Sequence, residues 1–346
     1  MEPTKSPDST IIYWALAIIV IGLGLWGWLG RPAQPNLSNT PNHPLAISLL
    51  TVGDINLGRQ TGQKILGGDT NYPFSNISPK LNQPDITFGN LESQLADLGG
   101  ETQSPTNEYQ FAGPPAGADS LKNAGIDIVS IANNHMWDYG RDRLFETIDN
   151  LDGVGVKYVG ATKDSATLYQ PVIMNAQQQK VAFFAVTNLL NGYEKSGATE
   201  YVAWADADKL ISAIEQVKPQ VDWIVVSIHW GSEYVDHPSQ AQIELGHKLI
   251  DAGVNVVIGH HSHVPQGVEE YNGGVILYSL GNFAFWQPMT YWTQHSFIAQ
   301  IKLSPTRRVE YNPIAVNAGW QPSLATDEVE VKILQYIAQL SAALQK

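Results

Sequence analysis

The chain has 346 residues, of which 43% are hydrophobic and 15% are charged, and its formal net charge is −13. This composition is typical of a globular protein and excludes a disordered chain, while the acidic excess argues against a nucleic-acid partner, because binding phosphates needs clustered Lys and Arg. The sequence has no cysteine, so disulfides, thiolate metal sites and a cysteine nucleophile are excluded, and any metal must be held by His, Asp, Glu and Asn.

The first predicted element is a transmembrane helix over residues 11–30, "IIYWALAIIVIGLGLWGWLG", which contain no charge. About 20 apolar residues are enough to span a bilayer. The alternatives are a buried core helix and a cleaved signal peptide, but the apolar part is long for a signal and "GRPAQPN" is a poor cleavage site. Because Lys5 and Arg31 flank the segment on either side, charge barely sets its orientation. The short head, residues 1–10, favours a single-pass cell-membrane anchor with the large domain extracytoplasmic.

A Pro- and Asn-rich linker is predicted over residues 31–44, one large domain over 45–320, and a C-terminal helix within 321–346. Short apolar runs alternate with longer amphipathic stretches in the domain, which predicts an α/β fold. The predicted strands are residues 45–52, 85–89, 127–132, 181–186, 223–228, 254–258 and 275–280; the predicted helices are 114–125, 140–155, 206–218, 239–253 and the tail from 327.

Polar side chains follow six of these strands directly. In open α/β sheets ligands lie outside the carboxyl ends of the strands, so we expect these turns to converge on one crevice. The side chains are Asp54 and Asn56; Asn90 and Glu92; Asn133, Asn134 and His135; His229 and Glu233; His260, His261 and His263; and Asn282.

Three pairs of these residues are spaced two apart, so both members can point to one centre: Asp54 with Asn56, Asn90 with Glu92, and His261 with His263. Carboxylate, amide and imidazole ligands suit Mn, Zn or Fe better than Ca, and one or two ions are conceivable. Taken singly, each residue has a plainer explanation, because Gly-Asp is a common turn, Asn-Asn a common cap and a lone His often a core residue. The recurrence of such residues at the same end of successive strands favours a site.

Four histidines are interpreted as lying outside the site: His43, His237, His247 and His295. Five aromatic residues near the expected crevice could line a groove, although about half of them are expected to pack in the core. They are Trp137, Trp230, Tyr234, Phe283 and Trp286.

Six motifs occur in a fixed order: "GDINLGR", "DITFGNLES", "DIVSIANNHMWDYG", "IHWGSEY", "VVIGHHSHVPQGVE" and "YSLGNFAF". On these motifs the chain resembles the CapA family of poly-γ-glutamate capsule biosynthesis proteins over roughly residues 45–290. That family is similar to calcineurin-like metallophosphoesterases, so the resemblance implies an α/β fold with a sandwich of two mixed β-sheets flanked by helices, here preceded by the transmembrane helix.

The resemblance implies that the metal ligands are Asp54, Glu92, Asn134, His229, His261 and His263, with Asn56 and Asn90 as further candidates from the spacing. His135 would act as the acid toward a leaving group, and Asp54 would share the catalytic centre. Substrate contacts are predicted from Arg59, Asn133, Glu233 and Asn282.

Several positions depart from the phosphoesterase pattern, so a one-metal or metal-free site remains an alternative. Asn56 stands where that pattern has His, Glu92 stands in for a missing Asp, Met136 replaces the final acid and His260 occupies a glycine position.

We therefore predict a membrane-anchored, extracytoplasmic CapA-like protein acting in poly-γ-glutamate capsule or cell-envelope polymer biosynthesis, with a metal-dependent hydrolase site of the phosphoesterase type. Its partners would be an anionic polymer or phosphoester substrate and membrane-bound synthesis or export proteins. The alternatives are a non-catalytic polymer-binding or assembly subunit and a structural envelope protein with a vestigial site.

Overall fold

The computed structural model describes residues 45–345, and it confirms every strand and helix predicted within them. The strands are β1 (Ile47–Ile55), β2 (Ile86–Leu91), β3 (Gln94–Leu95), β4 (Ala112–Gly113), β5 (Ile128–Ser130), β6 (Lys157–Val159), β7 (Val172–Ala176), β8 (Gln179–Thr187), β9 (Trp223–His229), β10 (Val256–His260), β11 (Val268–Tyr271), β12 (Gly274–Leu277), β13 (His295–Ser304), β14 (Arg308–Asn317) and β15 (Ser323–Leu324). The helices are α1 (Arg59–Leu66), α2 (Ser78–Leu81), α3 (Gly117–Ala124), α4 (Gly140–Val154), α5 (Ala207–Val217), α6 (Gln240–Ala252) and α7 (Asp327–Leu344).

The predicted transmembrane segment and linker lie outside the described residues. Among residues 45–345, no helix combines the length and the apolar character that crossing a membrane requires.

Two mixed sheets form the framework. The first has the strand order β15-β14-β13-β1-β2-β5-β6 and the second has the order β11-β12-β10-β9-β8-β7. Four consecutive strands of each sheet are parallel: β1, β2, β5 and β6 in the first, and β8, β9, β10 and β12 in the second. The antiparallel β13–β14 hairpin pairs with β1 and was not predicted from the sequence.

The apolar pattern of β9 shows how the layers pack. Trp223 and Val225 belong to the core that includes residues of both sheets, whereas Ile224, Val226 and Ile228 face a second core under α5 and α6. Successive side chains of a strand point to opposite faces, so a continuous apolar run is what a strand covered on both sides requires. Each fully buried large side chain contributes about 1.5–3 kcal/mol of transfer free energy.

The ends of the helices follow the signals in the sequence. Gly125, Gly155 and Gly253 end α3, α4 and α6 with φ values of 85°, 75° and 111°. In this left-handed region glycine avoids the steric penalty of a side chain. Ser239 and Gln242 form a reciprocal capping box at the start of α6.

The two sheets meet where β1 ends. Asp54 pairs with Asn282 in an isolated parallel bridge, and its backbone N–H donates to the Gly281 carbonyl at 3.1 Å. A Cβ on Gly53 would lie 1.9 Å from that same carbonyl oxygen. Glycine is therefore required at position 53 so that the carboxyl ends of both sheets come together.

Candidate functional site

The polar turns predicted to converge do so at the carboxyl ends of the parallel strands. Asp54 of β1 lies beside Asn90 of β2 in the strand register, and His229 of β9 lies beside His260 of β10. Strand register thus brings residues distant in sequence into one cluster.

Asn90 lies among the acidic and histidine side chains of this cluster. Its Nδ2 is 2.9 Å from Asp54 Oδ1, 3.3 Å from Glu92 Oε2 and 3.3 Å from His229 Nδ1. His229 Nε2 is 2.8 Å from Asn134 Oδ1. These contacts place five of the predicted metal ligands in one hydrogen-bonded group.

Two sets of three side chains could each hold a metal ion. The first set is Glu92, His261 and His263, and the second is Asp54, Glu92 and His229; within each set the ligand atoms lie within 4.8 Å of one another. All five side chains are buried, and Glu92 belongs to both sets. Its Oε1 is 3.7 Å from His263 Nε2 and 3.8 Å from His229 Nε2.

Unsatisfied buried atoms test whether these residues fit a cation. Glu92 Oε1 and His261 Nδ1 are buried and make no hydrogen bond. Buried acceptors without a partner are costly, and together they form the mixed N/O donor set that borderline divalent ions prefer. The cluster therefore fits a divalent transition metal.

The electrostatics of the two carboxyl groups differ. Burial, followed by the charge of Asp54, raises the pKa of Glu92 well above its usual range. Burial also acts to raise the pKa of Asp54, but the hydrogen bonds and charges of His260 and His263 outweigh it and hold that pKa well below its usual range. Without a cation, the site therefore favours the ionised form of Asp54 and disfavours the ionised form of Glu92.

The two histidines with perturbed pKa values are neutral. Burial, followed by the repulsion that a proton on His261 would add, lowers the pKa of His229 well below its usual range. Burial, followed by the charge of His263, lowers the pKa of His261 to about 3. Neutral imidazole is the form that binds metals.

The backbone at the histidine motif is strained. His261 and His263 adopt φ values of 92° and 58°. Non-glycine residues rarely occupy this left-handed region, and they persist there when the surrounding contacts enforce it. His260 stands where the phosphoesterase pattern has glycine, and the sequence analysis gave it no role. It is fully buried, and its Nδ1 lies 3.2 Å from Asp54 Oδ1.

His135 lies at the edge of the cluster with an acidic partner that the sequence did not reveal. Its Nδ1 is 2.9 Å from Asp138 Oδ2, and its Nε2 is 3.8 Å from Glu92 Oε1. Asp138 therefore orients the ring with Nε2 toward the cluster. The phosphoesterase pattern has an acid at position 136, where this chain has Met, and Asp138 two residues later contacts the histidine instead. The His-x-x-Asp spacing just before a helix was the sequence signal that could have indicated this contact.

A cleft of about 780 Å³ opens above this edge of the cluster. Among its lining residues are the predicted site residues Arg59, Asn134, His135, Glu233 and His263. Tyr234 and Trp286 also line the cleft, as predicted for part of the aromatic set, whereas Trp230 and Phe283 are core residues and Trp137 is buried outside the lining.

Three predicted residues lie deeper and hold other groups in place. Asn133 donates to Asn90 Oδ1 at 3.1 Å, and Asn56 Oδ1 accepts the N–H of Gly58 at 2.8 Å. Asn282 Oδ1 lies 2.9 Å from His263 Nδ1, and Asn282 Nδ2 donates to the Thr293 carbonyl. Asn133 and Asn282 do not line the cleft.

Asn191, which the sequence did not indicate, binds Asn134 from the loop after β8. Its Oδ1 accepts from Asn134 Nδ2 at 3.1 Å, and its Nδ2 donates to the Asn134 carbonyl at 3.1 Å. The isolated sequence "LLNGY" reads as an ordinary turn, so nothing local pointed to this contact.

The histidines assigned outside the site make contacts elsewhere. His247 lies 2.9 Å from a Glu269 carboxylate oxygen, and His295 Nδ1 lies 2.8 Å from the Tyr291 carbonyl. His237 is exposed, and His43 lies outside the described residues.

Residues 48–287 match the family described as "Bacterial capsule synthesis protein PGA_cap". The chain belongs to this family. It is 29% identical to the capsule biosynthesis protein CapA of Bacillus anthracis, over 92% of this chain and 79% of that protein. It is also 29% identical to the PGA biosynthesis protein CapA of Bacillus subtilis, over 95% of this chain and 87% of that protein.

Among solved structures, a Staphylococcus aureus protein assigned as a 5′-nucleotidase superposes with a TM-score of 0.50 at 11% identity. The match covers 85% of this chain and 58% of that one. At this identity the likeness shows the fold alone, which is metallophosphoesterase-like as the resemblance implied.

Proposed function

We propose that this capsule-synthesis family member is a membrane-anchored, extracytoplasmic hydrolase of the phosphoesterase type that requires a divalent metal. Its task would lie in poly-γ-glutamate capsule or cell-envelope polymer biosynthesis. In support, one of the two CapA relatives is named for capsule biosynthesis and the other for PGA biosynthesis. Residues 11–30 would supply the anchor. Membrane-bound synthesis or export proteins would be its partners, and nucleic acid would not.

One observation carries the hydrolase proposal. Buried carboxylate and imidazole atoms without hydrogen-bond partners lie together beside a cleft that His135 also lines. Structural cores avoid such unsatisfied groups, whereas active sites retain them.

The roles of the residues follow from their positions. Asp54, Glu92, His229, His261 and His263 would hold the metal, with Asn134 as a further ligand. A bound divalent ion would polarise a phosphoryl oxygen and activate water. His135 would transfer a proton at Nε2, because Asp138 holds Nδ1.

The test begins with the metal content of the full-length protein, purified in detergent, measured by mass spectrometry. We expect one or two equivalents of Mn, Zn or Fe in the wild type, a loss of metal in the double variant His261→Ala, His263→Ala, and hydrolysis of a phosphoester only by the wild type. His237→Ala is the matched control, because His237 is exposed and lies away from the cluster.

An absence of metal in the wild type, even after reconstitution with Mn and Zn, would overturn the hydrolase proposal. The cleft would then be tested as a polymer-binding site. Protease treatment of intact cells tests the orientation separately: an extracytoplasmic domain is cleaved, and a cytoplasmic one is protected.

A further inference from the structure

Arg59 follows the β1 turn and is held in an unusual backbone conformation. Its φ is 51°, in the left-handed region. The backbone N–H of Arg59 donates to the Thr102 carbonyl at 2.8 Å, and its carbonyl accepts from the Thr102 hydroxyl at 2.8 Å. Two hydrogen bonds to one residue thus fix a backbone that few non-glycine residues adopt, and they direct the side chain into the cleft.

The guanidinium group of Arg59 lies against two aromatic rings that contact each other. Its central carbon is 4.7 Å from the centre of the Phe111 ring and 5.5 Å from that of Phe285. The Phe111 ring lies 4.2 Å from the His135 ring, and the Phe285 ring lies 5.1 Å from the His263 ring. Each of the two rings therefore contacts both the guanidinium and one site histidine, Phe111 with His135 and Phe285 with His263.

The hydrogen-bonding capacity of this group is largely unused. Nη2 donates to the backbone carbonyl of Glu108 at 3.2 Å, and Nε is buried without a partner. Within the part of the chain that the structure describes, the guanidinium forms no ion pair. Since arginine stays charged in proteins, a half-buried guanidinium without a counter-ion favours an anion bound beside it.

We propose that Arg59 binds a second anionic group of the substrate, a carboxylate or a phosphate, while the reacting group lies at the Asp54–Glu92–histidine cluster. This inference rests on the proposed function and narrows its substrate class. The cleft would select molecules that carry a negative charge a few bonds from the reacting group, and it would bind esters without that charge poorly. Arg59 would thus determine specificity.

Three compounds that contain no ester bond test this by binding alone. Methylphosphonate offers one anionic group, phosphonoacetate adds a carboxylate to it, and methylenediphosphonate adds a second phosphonate. Their affinities are measured by isothermal titration calorimetry on the full-length protein in detergent, loaded with Mn²⁺. We expect the wild type to bind at least one of the two larger probes about tenfold or more tightly than methylphosphonate. The better of the two identifies the second group as carboxylate or phosphate.

Arg59→Met retains the aliphatic stem and removes the charge. We expect this variant to bind the preferred probe about 10- to 100-fold more weakly than the wild type does, and to bind methylphosphonate with an affinity within about twofold of the wild type's. Arg59→Lys should recover part of the loss, because it restores the charge without the planar fork. Arg308→Met is the matched control, since the Arg308 side chain is 74% exposed on β14, and it should behave as the wild type.

Equal affinities for the three probes in the wild type, or no binding of any probe, would overturn the role of Arg59. An equal loss for all three probes in Arg59→Met would overturn it as well, because the residue would then act on the whole site. Metal content is measured on the same samples, and a protein that holds no metal would overturn the proposed function. The role of Arg59 is decided separately, by the difference in affinity between the larger probes and methylphosphonate.

Discussion

Acid destabilisation of the metal-free protein should depend on His261. Because the pKa of His261 in the folded protein is about 3, against about 6.5 in an unfolded chain, the unfolded state binds the proton more readily between these values. Stability supplied by neutral His261 is therefore fully present above about pH 6.5 and is lost as the pH falls. From about pH 8 to about pH 5 this loss amounts to about 2 kcal/mol for His261 alone.

Urea unfolding of the EDTA-treated, full-length protein at the two pH values measures this loss. Glu92 acts in the opposite direction, because its raised pKa makes the folded state hold a proton that the unfolded state releases as the pH rises. The test therefore compares the wild type with His261→Asn, which removes the titrating ring and tolerates a left-handed backbone. We expect the wild type to lose about 2 kcal/mol more than this variant between the two pH values.

The matched control is His237→Asn, whose ring is 77% exposed and whose pH dependence should equal that of the wild type. The same pH dependence in the wild type and in His261→Asn would refute the argument. It would mean that the buried imidazole accepts a proton without cost.

Three further predictions concern other parts of the site and its framework. Asp138→Asn should lower turnover about 10- to 100-fold and alter the pH–rate profile while leaving KM nearly unchanged. The asparagine still packs in the same place, but it no longer orients His135 by its charge. Steady-state kinetics at saturating metal measures these changes. Glu92→Gln should reduce bound metal about 10-fold or more, as read by mass spectrometry, since Glu92 belongs to both ligand sets. Gly53→Ala should destabilise the fold by about 1–3 kcal/mol in urea unfolding, because the added methyl group would lie 1.9 Å from a carbonyl oxygen. Gly153→Ala in α4, where an added Cβ meets nothing within 4 Å, should instead be neutral or stabilising.

The sequence predicted the central strands well because their signals are local. β1 and β10 are apolar runs followed at once by polar residues, and burial on both faces produces that pattern. The helices α3 to α7 were predicted for the same reason, since their periodicity and terminal glycines are read within one segment, whereas α1 and α2 were not predicted.

The β13–β14 hairpin was missed because its position depends on a distant partner. β13 pairs with β1, so that Ile47 lies opposite Leu303, and no local pattern states that pairing. β14 is only half-buried along most of its length and contains Pro313, and a proline argues against a strand when the sequence is read alone.

The residues missed around the site share this origin. Phe111 forms an isolated bridge with Gln103 just before β4, and Asn191 lies in a turn after β8. Each acts through a contact made only after folding: Phe111 lies against both Arg59 and His135, and Asn191 against Asn134. The convergence of the candidate ligands could be predicted, because the carboxyl ends of parallel strands in open α/β sheets meet at one crevice.

The charge of the cluster bears on how an acidic protein could bind an anionic substrate. Without metal, burial and the charge of Asp54 raise the pKa of Glu92, so the cluster resists a second negative charge at Glu92. One divalent cation would draw the proton from Glu92 and be neutralised by the two carboxylates. A second cation would leave an excess of positive charge, to which Arg59 adds. The number of bound ions therefore decides whether the net charge of the site attracts a polyanion. We expect the affinity of an anionic probe to rise as each equivalent of metal is added.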